Sequence, residues 1–291
     1  MAGDIHQRIV SLQEGSSDVT LIRDTVPTAD AMTAMIERRV ESAQSVKDAL
    51  PVTVLNTAPK HDAIAIILSG DGGWRDIDSS IGKLMQADGV PVVGIDSLRY
   101  FWSPRTPQQT ARDLATLIRK YRASWSVNNV ILIGYSFGAD VLPATYLELP
   151  QVERNHVRLV SLLGLASNAD WQITVSGWLG SHGSDATPTL PAAARMPGSI
   201  IQCVNGLEVD NAACAALEKL GASIFITRGG HHFGGEYRKV ERAILAAYAE
   251  RINQAPLAAP QTIDRGQTKF VQASTSTQLG PAVLAPFHAV P

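Results

Sequence analysis

The sequence is poor in charge and has no long apolar run. Only 18% of its 291 residues are charged, and the formal net charge is −2. Phosphate backbones are bound by basic surfaces, so nucleic acid is not an expected partner. No stretch approaches the roughly 20 apolar residues that cross a bilayer, and the N-terminus lacks the basic and apolar segments of a secretory leader. Taken alone, that N-terminus indicates the cytoplasm, unless a leader or a preceding domain has been removed.

Cysteine is equally scarce. Cys203 and Cys214 are the only two in the chain. They are either two free thiols or, since they flank one short loop, a disulfide whose closure is geometrically easy. A bridge around so small a loop would stabilise the fold by up to about 2–3 kcal/mol and would indicate an oxidising compartment. Two cysteines alone rarely hold a metal, and no metal or cofactor is expected.

What the sequence does contain is a regular alternation of apolar runs and helical patterns between residues 51 and 254. Short runs without polar alternation are typical of parallel strands that are covered on both faces. Strands that alternate with helices predict an α/β fold with a doubly wound, mostly parallel sheet. The predicted strands are Ala63–Leu68, Pro91–Ile95, Val130–Ile133, Arg158–Leu163, Ser199–Val204 and Ser223–Thr227.

Three regions lie outside this alternation. Residues 1–50 contain one plausible helix and are interpreted as a linker or a docking segment. Residues 166–198 are too long for an ordinary connection and are rich in glycine and proline, which predicts a small cap inserted into the domain. Residues 255–291 are rich in Ala, Pro, Thr and Gln with few charges, a composition typical of a disordered tail.

A Gly-x-Ser-x-Gly motif lies between a predicted strand and a predicted helix, at Gly134–Gly138. A tight strand–turn–helix holds its serine in a strained backbone conformation, and small flanking residues avoid clashes with the neighbouring elements. This placement predicts that Ser136 is a nucleophile in a fold of the α/β-hydrolase type. The N–H of Phe137 would be the first donor to the developing oxyanion.

The second oxyanion donor is expected from the glycine-rich loop that follows the first predicted strand. That loop reads Ser-Gly-Asp-Gly-Gly-Trp over residues 69–74. Glycines allow backbone N–H groups to approach a substrate closely, and Asp71 and Gly72 are the candidate donors. A merely flexible turn is the alternative.

The remaining partners are expected downstream of the serine, first an acid and then a histidine. His231 and His232 lie in a Gly-Gly-His-His-Phe-Gly-Gly turn directly after the last predicted strand. We prefer His232 as the general base, because the following phenylalanine could pack its ring in place, with His231 as the alternate. Asp210 is the preferred acid and Glu208 its alternate, both after the penultimate strand, although either could instead cap a helix.

These motifs together resemble the bacterial virulence protein VirJ family, which includes the related AcvB proteins. The resemblance is carried by residues 68–74, 134–140, 176–179 and 229–233, within a likeness that spans about residues 52–254. It implies a periplasmic protein, which the cysteine pair would also suit. It further implies a serine hydrolase that cleaves a carboxylic ester through an acyl-enzyme, with lysyl- or alanyl-phosphatidylglycerol as the substrate.

A substrate of that kind carries an ammonium group near its scissile carbonyl and a phosphate further away. Asp140 is the candidate for the ammonium group, Arg75 and Arg99 are candidates for the phosphate, and Trp74 is a further candidate contact. Each also has an ordinary structural interpretation, such as a favourable acid in the first turn of a helix. The expected partner is therefore a phospholipid or a small ester, with contact at a membrane surface. The alternative function is a non-enzymatic adaptor that binds proteins of a type IV secretion system.

Overall fold

The described part of the chain forms a twisted sheet with helices on both faces. The computed structural model describes residues 50–174, 186–209 and 212–253. Within these residues a seven-stranded sheet has the order β1-β3-β2-β4-β5-β8-β9, and β1 is the strand that runs antiparallel to its neighbour. The strands are β1 Val52–Leu55, β2 Ala63–Leu68, β3 Val92–Ile95, β4 Asn129–Tyr135, β5 Val157–Leu163, β6 Asn168–Ala169, β7 Thr187–Pro188, β8 Ile201–Gly206 and β9 Ser223–Thr227.

The helices cover both faces of this sheet. They are α1 Asp76–Ala87, α2 Ser97–Tyr100, α3 Pro107–Trp125, α4 Phe137–Glu148, α5 Gln151–Arg154, α6 Thr189–Ala193, α7 Ala212–Glu218 and α8 Tyr237–Asn253. Short 3-10 turns lie at Gly198–Ile200 and Phe233–Gly235. The longest helix, α3, begins with a capping box in which Thr106 and Gln109 satisfy each other's backbone N–H groups, as expected for a helix start with proline at its first position.

The predicted doubly wound, mostly parallel sheet is confirmed. Two strands have the predicted bounds, Ala63–Leu68 and Ser223–Thr227, and the others differ by a few residues at their ends. The antiparallel edge strand β1 was not predicted, because four residues with mixed burial carry little pattern. The small pair β6–β7 and helix α6 lie in the predicted cap insert, whose residues 175–185 are outside the described part.

Burial explains why the strands read as continuous apolar runs. Successive side chains of a strand point to opposite faces. In β2, Ile64, Ile66 and Leu68 pack into the core on one face of the sheet, and Ala63, Ala65 and Ile67 pack into the core on the other. Both faces therefore need apolar residues, and the alternation of a half-exposed strand is absent from β2.

Parallel strands end at the same edge of the sheet, so the loops after β2, β4, β8 and β9 are neighbours. This edge carries the glycine-rich loop, Ser136, the predicted acid loop and the histidine turn. Residues 1–49 and 254–291 lie outside the described part, so the linker, docking-helix and disordered-tail predictions stay predictions.

Cys203 and Cys214 form a disulfide, which confirms the second of the two interpretations of the cysteine pair. The bridge joins β8 to α7 across a sequence separation of 11 residues, and both cysteines are buried in the core. It therefore closes the chain segment that contains the predicted acid loop. The disulfide ties both ends of that segment to the sheet.

Reduction of this disulfide should lower the free energy of unfolding by about 2–3 kcal/mol, because the reduced unfolded chain regains the freedom of the closed loop. Urea unfolding of the wild type with and without a phosphine reductant measures the change. A Cys203→Ala, Cys214→Ala double variant is the control and should not respond to the reductant. A wild type that is equally stable in both conditions would contradict the prediction.

Candidate active site

Ser136 occupies a strained turn between β4 and α4. Its backbone angles are φ 51° and ψ −120°, a region that side chains with a Cβ rarely adopt. A Cβ on Gly134 would lie 2.4 Å from the carbonyl oxygen of Gly138, and a Cβ on Gly138 would lie 2.2 Å from that of Leu68. The two glycines of the motif are therefore required by close backbone contacts on both sides of the serine.

Backbone hydrogen bonds hold this turn in place. The N–H of Ser136 donates to the carbonyl of Leu163 at 2.8 Å, and the N–H of Asp140 donates to the carbonyl of Ser136 at 3.0 Å. The serine thus stands at the N-terminus of α4, where the helix dipole favours negative charge. Its hydroxyl is presented at the carboxyl edge of the sheet.

His231 contacts the serine directly. Its Nε2 lies 2.8 Å from the Oγ of Ser136, within hydrogen-bond distance. The imidazole also lies against the ring of Tyr135, with the two centroids 5.3 Å apart. A half-buried imidazole at this distance from a serine hydroxyl can accept its proton.

The preference for His232 over His231 was wrong as to geometry. His232 is exposed, and the structure brings His231 rather than His232 to the serine. The preference for His232 assumed that Phe233 packs against the ring of His232. Phe233 is in fact fully buried with φ 54° and packs edge-on to Tyr135, so it anchors the turn itself and leaves the ring of His232 outside.

The electrostatic surroundings favour a neutral imidazole at position 231. Burial lowers the pKa of His231, the neighbouring His232 lowers it further, and Asp71 opposes both effects. A pKa below the ordinary value keeps the ring unprotonated at neutral pH, which is the form that accepts a proton.

The glycine-rich loop forms the opposite wall of a cleft of about 220 Å³. Among the described residues, this cleft is lined by Gly70, Asp71, Gly72, Gly73, Arg75, Asp76, Ile77, Asp78, Tyr135, Ser136, His231 and His232. The predicted oxyanion candidates Asp71 and Gly72 therefore line the same cleft as the serine, and Phe137 follows the serine as the first residue of α4. Their assignment as oxyanion donors stays a prediction.

The loop of the predicted acid packs directly on the histidine turn. The N–H of Glu208 donates to the carbonyl of Gly229 at 3.1 Å, and a Cβ on Gly206 would lie 2.2 Å from the carbonyl oxygen of Gly230. Glu208 itself is exposed. Asp210 lies outside the described residues, so its assignment as the acid stays a prediction.

Two of the four candidates for substrate contact lie away from the cleft. A Cβ on Gly94 would lie 2.2 Å from the ring of Trp74, so this partly buried indole packs onto β3 against the core. Arg99 is exposed on α2, where its backbone N–H donates to the carboxylate of Asp96. Neither residue is among those that line the cleft.

The other two candidates have different surroundings. The carboxylate of Asp140 accepts a hydrogen bond of 2.7 Å from the N–H of Ala166, which joins α4 to the loop after β5. This contact gives Asp140 a structural role. Arg75 is largely exposed at the rim of the cleft, where it pairs with Asp76 at 3.6 Å.

Asp78 is a cleft residue that the sequence reasoning missed. It is only 3% exposed, and burial raises its pKa to about 8, with smaller contributions from Asp76 and Asp96. In the sequence it looks like an ordinary acid in the first turn of a helix. A buried carboxyl in this cleft could have been suspected only from its position three residues into the helix after the glycine-rich loop.

Neither a metal site nor a membrane span is found in residues 50–174, 186–209 and 212–253. No group of three or more His, Cys, Asp or Glu side chains there could hold a metal ion. No helix in this part is long and apolar enough to cross a bilayer.

The strand–serine–helix turn on this sheet defines the class of fold, which is that of the α/β hydrolases. BpoC from Mycobacterium tuberculosis H37Rv, described as a candidate non-heme bromoperoxidase, matches with a TM-score of 0.50 and 14% identity, over 71% of this chain and 97% of its own. Est1E from Butyrivibrio proteoclasticus has a TM-score of 0.49 and 12% identity, over 71% of this chain and 97% of its own. A protein from Xanthomonas campestris, described as a candidate hydrolase of the α/β superfamily, has a TM-score of 0.45 and 17% identity, over 65% of this chain and 98% of its own.

The family follows from the sequence. Residues 62–252 match the family described as bacterial virulence protein (VirJ), and the chain belongs to that family. The resemblance drawn from the four motifs is thereby confirmed. No curated protein matches the chain.

Gly164 provides a test of how His231 is held. Its φ is 69°, and a Cβ there would lie 2.7 Å from Cε1 of His231, so Gly164→Ala should push the imidazole away from Ser136. Gly221→Ala is the matched control, because Gly221 has φ 92° and nothing within 4 Å of its added Cβ. Both variants should lose about 1–2 kcal/mol of stability from the left-handed backbone.

The NMR signal of the His231 Cε1 proton distinguishes the two variants. It should shift in Gly164→Ala and stay in place in Gly221→Ala. An unchanged signal in Gly164→Ala would mean that the imidazole is not packed against this glycine.

Proposed function

We propose that the protein is a serine hydrolase that cleaves a carboxylic ester through an acyl-enzyme. The observation that carries this proposal is the 2.8 Å contact between Nε2 of His231 and Oγ of Ser136. It is supported by the strained backbone of the serine at the N-terminus of α4, an arrangement that exposes a hydroxyl for attack.

In the first half of the reaction, Oγ of Ser136 attacks the ester carbonyl while Nε2 of His231 takes its proton. The tetrahedral oxyanion is bound by the N–H of Phe137 and by an N–H of Asp71 or Gly72. Collapse breaks the C–O bond, and His231 returns the proton to the leaving alcohol. Water then attacks the acyl-enzyme with His231 again as the base, which releases the acid and restores the serine.

A carboxylate must stabilise the imidazolium that forms in both halves. We assign this role to Asp210, with Glu208 as the alternate. The assignment is supported by the direct packing of their loop on the histidine turn at Gly206 and Gly229. The disulfide between Cys203 and Cys214 closes the same segment.

Ser136→Ala should abolish hydrolysis of p-nitrophenyl butyrate, since the hydroxyl that forms the acyl-enzyme is lost. His231→Ala should lower kcat/KM by at least about 10³-fold, because general-base catalysis and serine activation are both lost. His232→Ala is the matched control on the adjacent residue and should keep kcat/KM within about tenfold. Initial rates with each variant measure these changes.

Circular dichroism of the three variants checks that their folds are retained. Equal losses in the two histidine variants would contradict the assignment of His231. Undiminished turnover by Ser136→Ala would contradict the whole mechanism.

For the substrate, we propose an aminoacyl ester of phosphatidylglycerol, with a lysyl or alanyl group. The resemblance to the family supports this class. The cleft offers Asp71 close enough to His231 to affect its pKa, which suits an ammonium group beside the scissile carbonyl. Arg75 at the rim could bind the phosphate. The disulfide supports an oxidising compartment, and we place the protein in the periplasm, at the surface of the membrane that holds such lipids.

Asp71→Asn should lower kcat/KM for lysyl-phosphatidylglycerol in mixed micelles by about 10–100-fold, because the ammonium group loses its counter-charge. The same variant should change turnover of the uncharged p-nitrophenyl butyrate by less than about threefold. Asp71→Glu keeps the charge and should recover part of the loss. Chromatography of the lipid products measures the reaction.

Equal losses on both substrates would contradict a role for Asp71 in binding ammonium. If the wild type cleaved the butyrate ester but no aminoacyl lipid, the substrate proposal would fail while the hydrolase stood. Cleavage of neither would favour the non-enzymatic adaptor of a secretion system.

A further inference from the structure

Asp78 is a buried carboxyl in the wall of the cleft that the reaction described above does not use. It lies in the first turn of α1, directly after the glycine-rich loop, and is 3% exposed. Its Oδ1 has no hydrogen-bond partner among the described residues. An ionised carboxylate with a buried and unpartnered oxygen costs far more free energy than the neutral acid does.

The carboxyl of Asp78 also contacts the glycine-rich loop. The backbone N–H of Gly70 donates a hydrogen bond to the carboxyl of Asp78, as does the N–H of Asp78 itself. The carbonyl of Gly70 accepts from the N–H of Gly73 and from Oγ of Ser69, both at 3.1 Å. The peptide groups on both sides of Gly70 are therefore fixed. Their hydrogen bonds also determine the backbone positions of Asp71 and Gly72, which follow.

The electrostatic surroundings of Asp78 are mostly acidic. Burial raises the pKa of Asp78 to about 8, the hydrogen bonds from the N–H groups of Gly70 and Asp78 oppose this, and Asp76 and Asp96 raise the pKa to a smaller extent. The helix dipole acts in the opposite direction but is worth less than about one pKa unit. The titratable and charged groups of the cleft and of the elements packed around it are Asp71, Arg75, Asp76, Asp96, Tyr135, His231, His232 and Tyr237.

We propose that Asp78 is a positioning residue that acts as a neutral carboxylic acid. Its carboxyl fixes the glycine-rich loop through Gly70, and loss of the carboxyl proton switches the hydrolase off. This inference rests on the proposed function. An ionised Asp78 would place a buried negative charge in the same cleft wall as the oxyanion donors. That charge would repel the oxyanion of the transition state and weaken its stabilisation by the N–H groups of the glycine-rich loop.

We expect the pH dependence of kcat/KM to have two limbs, each caused by a different residue. Below neutral pH the rate rises with pH as His231 loses its proton. Above about pH 8 the wild-type kcat/KM should fall by up to about tenfold per pH unit, because only the protonated form of Asp78 is active.

Asp78→Asn tests the alkaline limb, because its amide oxygen can still accept from Gly70 and the amide cannot ionise. Its kcat/KM for p-nitrophenyl butyrate, followed by base consumption between pH 6 and 10 and corrected for spontaneous hydrolysis, should show no fall above pH 8. Asp76→Asn is the matched control. It removes a carboxylate two residues away, at an exposed position with φ 46° that asparagine tolerates, and it should keep the alkaline fall. Asp78→Ala should lower kcat at every pH, because Gly70 loses its acceptor.

A second measurement needs no turnover. A carboxyl whose pKa is higher in the folded than in the unfolded chain destabilises the fold as it ionises, so stability is lost as pH rises from about 4 to about 8. The folding equilibrium constant of the wild type, relative to Asp78→Asn, should therefore fall across this range. Urea unfolding at pH 5, 6.5 and 8 measures it. Asp76→Asn retains Asp78, so its folding equilibrium constant relative to Asp78→Asn should fall across the same range.

The two measurements separate the possible failures. An alkaline fall in Asp78→Asn equal to that of the wild type would overturn the proposal. The absence of such a fall in an active wild type would overturn it as well. A stability difference that is independent of pH would overturn the neutral carboxyl even if the protein proved to hydrolyse no ester. An inactive wild type with the expected stability trend would overturn the hydrolase proposal and, with it, the switching role, but not the neutral state of Asp78.

Discussion

The left-handed backbone of Ser136 depends on how closely α4 approaches β2 and β4. Carbonyl oxygens of Leu68 and Gly138 occupy the space that side chains at positions 138 and 134 would need, so the turn exists only with glycine at both positions. Strain of this kind persists where surrounding structure over-determines it. Here the hydrogen bond from Ser136 to Leu163 and the helix that follows provide that surrounding structure.

The rest of the cleft is arranged around this one turn. Tyr135, adjacent to the serine, contacts His231, Phe233 and the loop at Gly70, so a single side chain from β4 lies between the histidine turn and the oxyanion loop. Burial raises the pKa of Tyr135, which keeps its phenol neutral. The cleft thus combines a neutral imidazole with a neutral phenol, and the inference about Asp78 adds a neutral carboxyl. The oxyanion that forms on the substrate would then be the new charge in the transition state, and the backbone N–H donors would bind it.

The sequence allowed the sheet, the serine turn and the disulfide alternative to be predicted, because each depends on local pattern. Apolar runs of strand length need no knowledge of distant contacts, and the motif of residues 134–138 encodes its own backbone geometry. The choice between His231 and His232 was different. It depends on which of the two imidazoles the histidine turn directs at Ser136 once Phe233 is buried. That orientation is determined by the packing of Phe233 against Tyr135, which lies in β4 almost 100 residues earlier. Trp74 and Asp78 were misjudged or missed for the same reason, since their burial comes from β3 and from the cleft wall.

The central claim is that Ser136 is a nucleophile activated by His231, and a fluorophosphonate probe tests it most directly. Such a probe phosphonylates an activated serine independently of which ester the protein hydrolyses. Peptide mass spectrometry of the wild type should find one adduct, on Ser136. Ser136→Ala should give no adduct, and His231→Ala should react at least about 10²-fold more slowly. An unmodified wild type, or an adduct on another residue, would contradict the account.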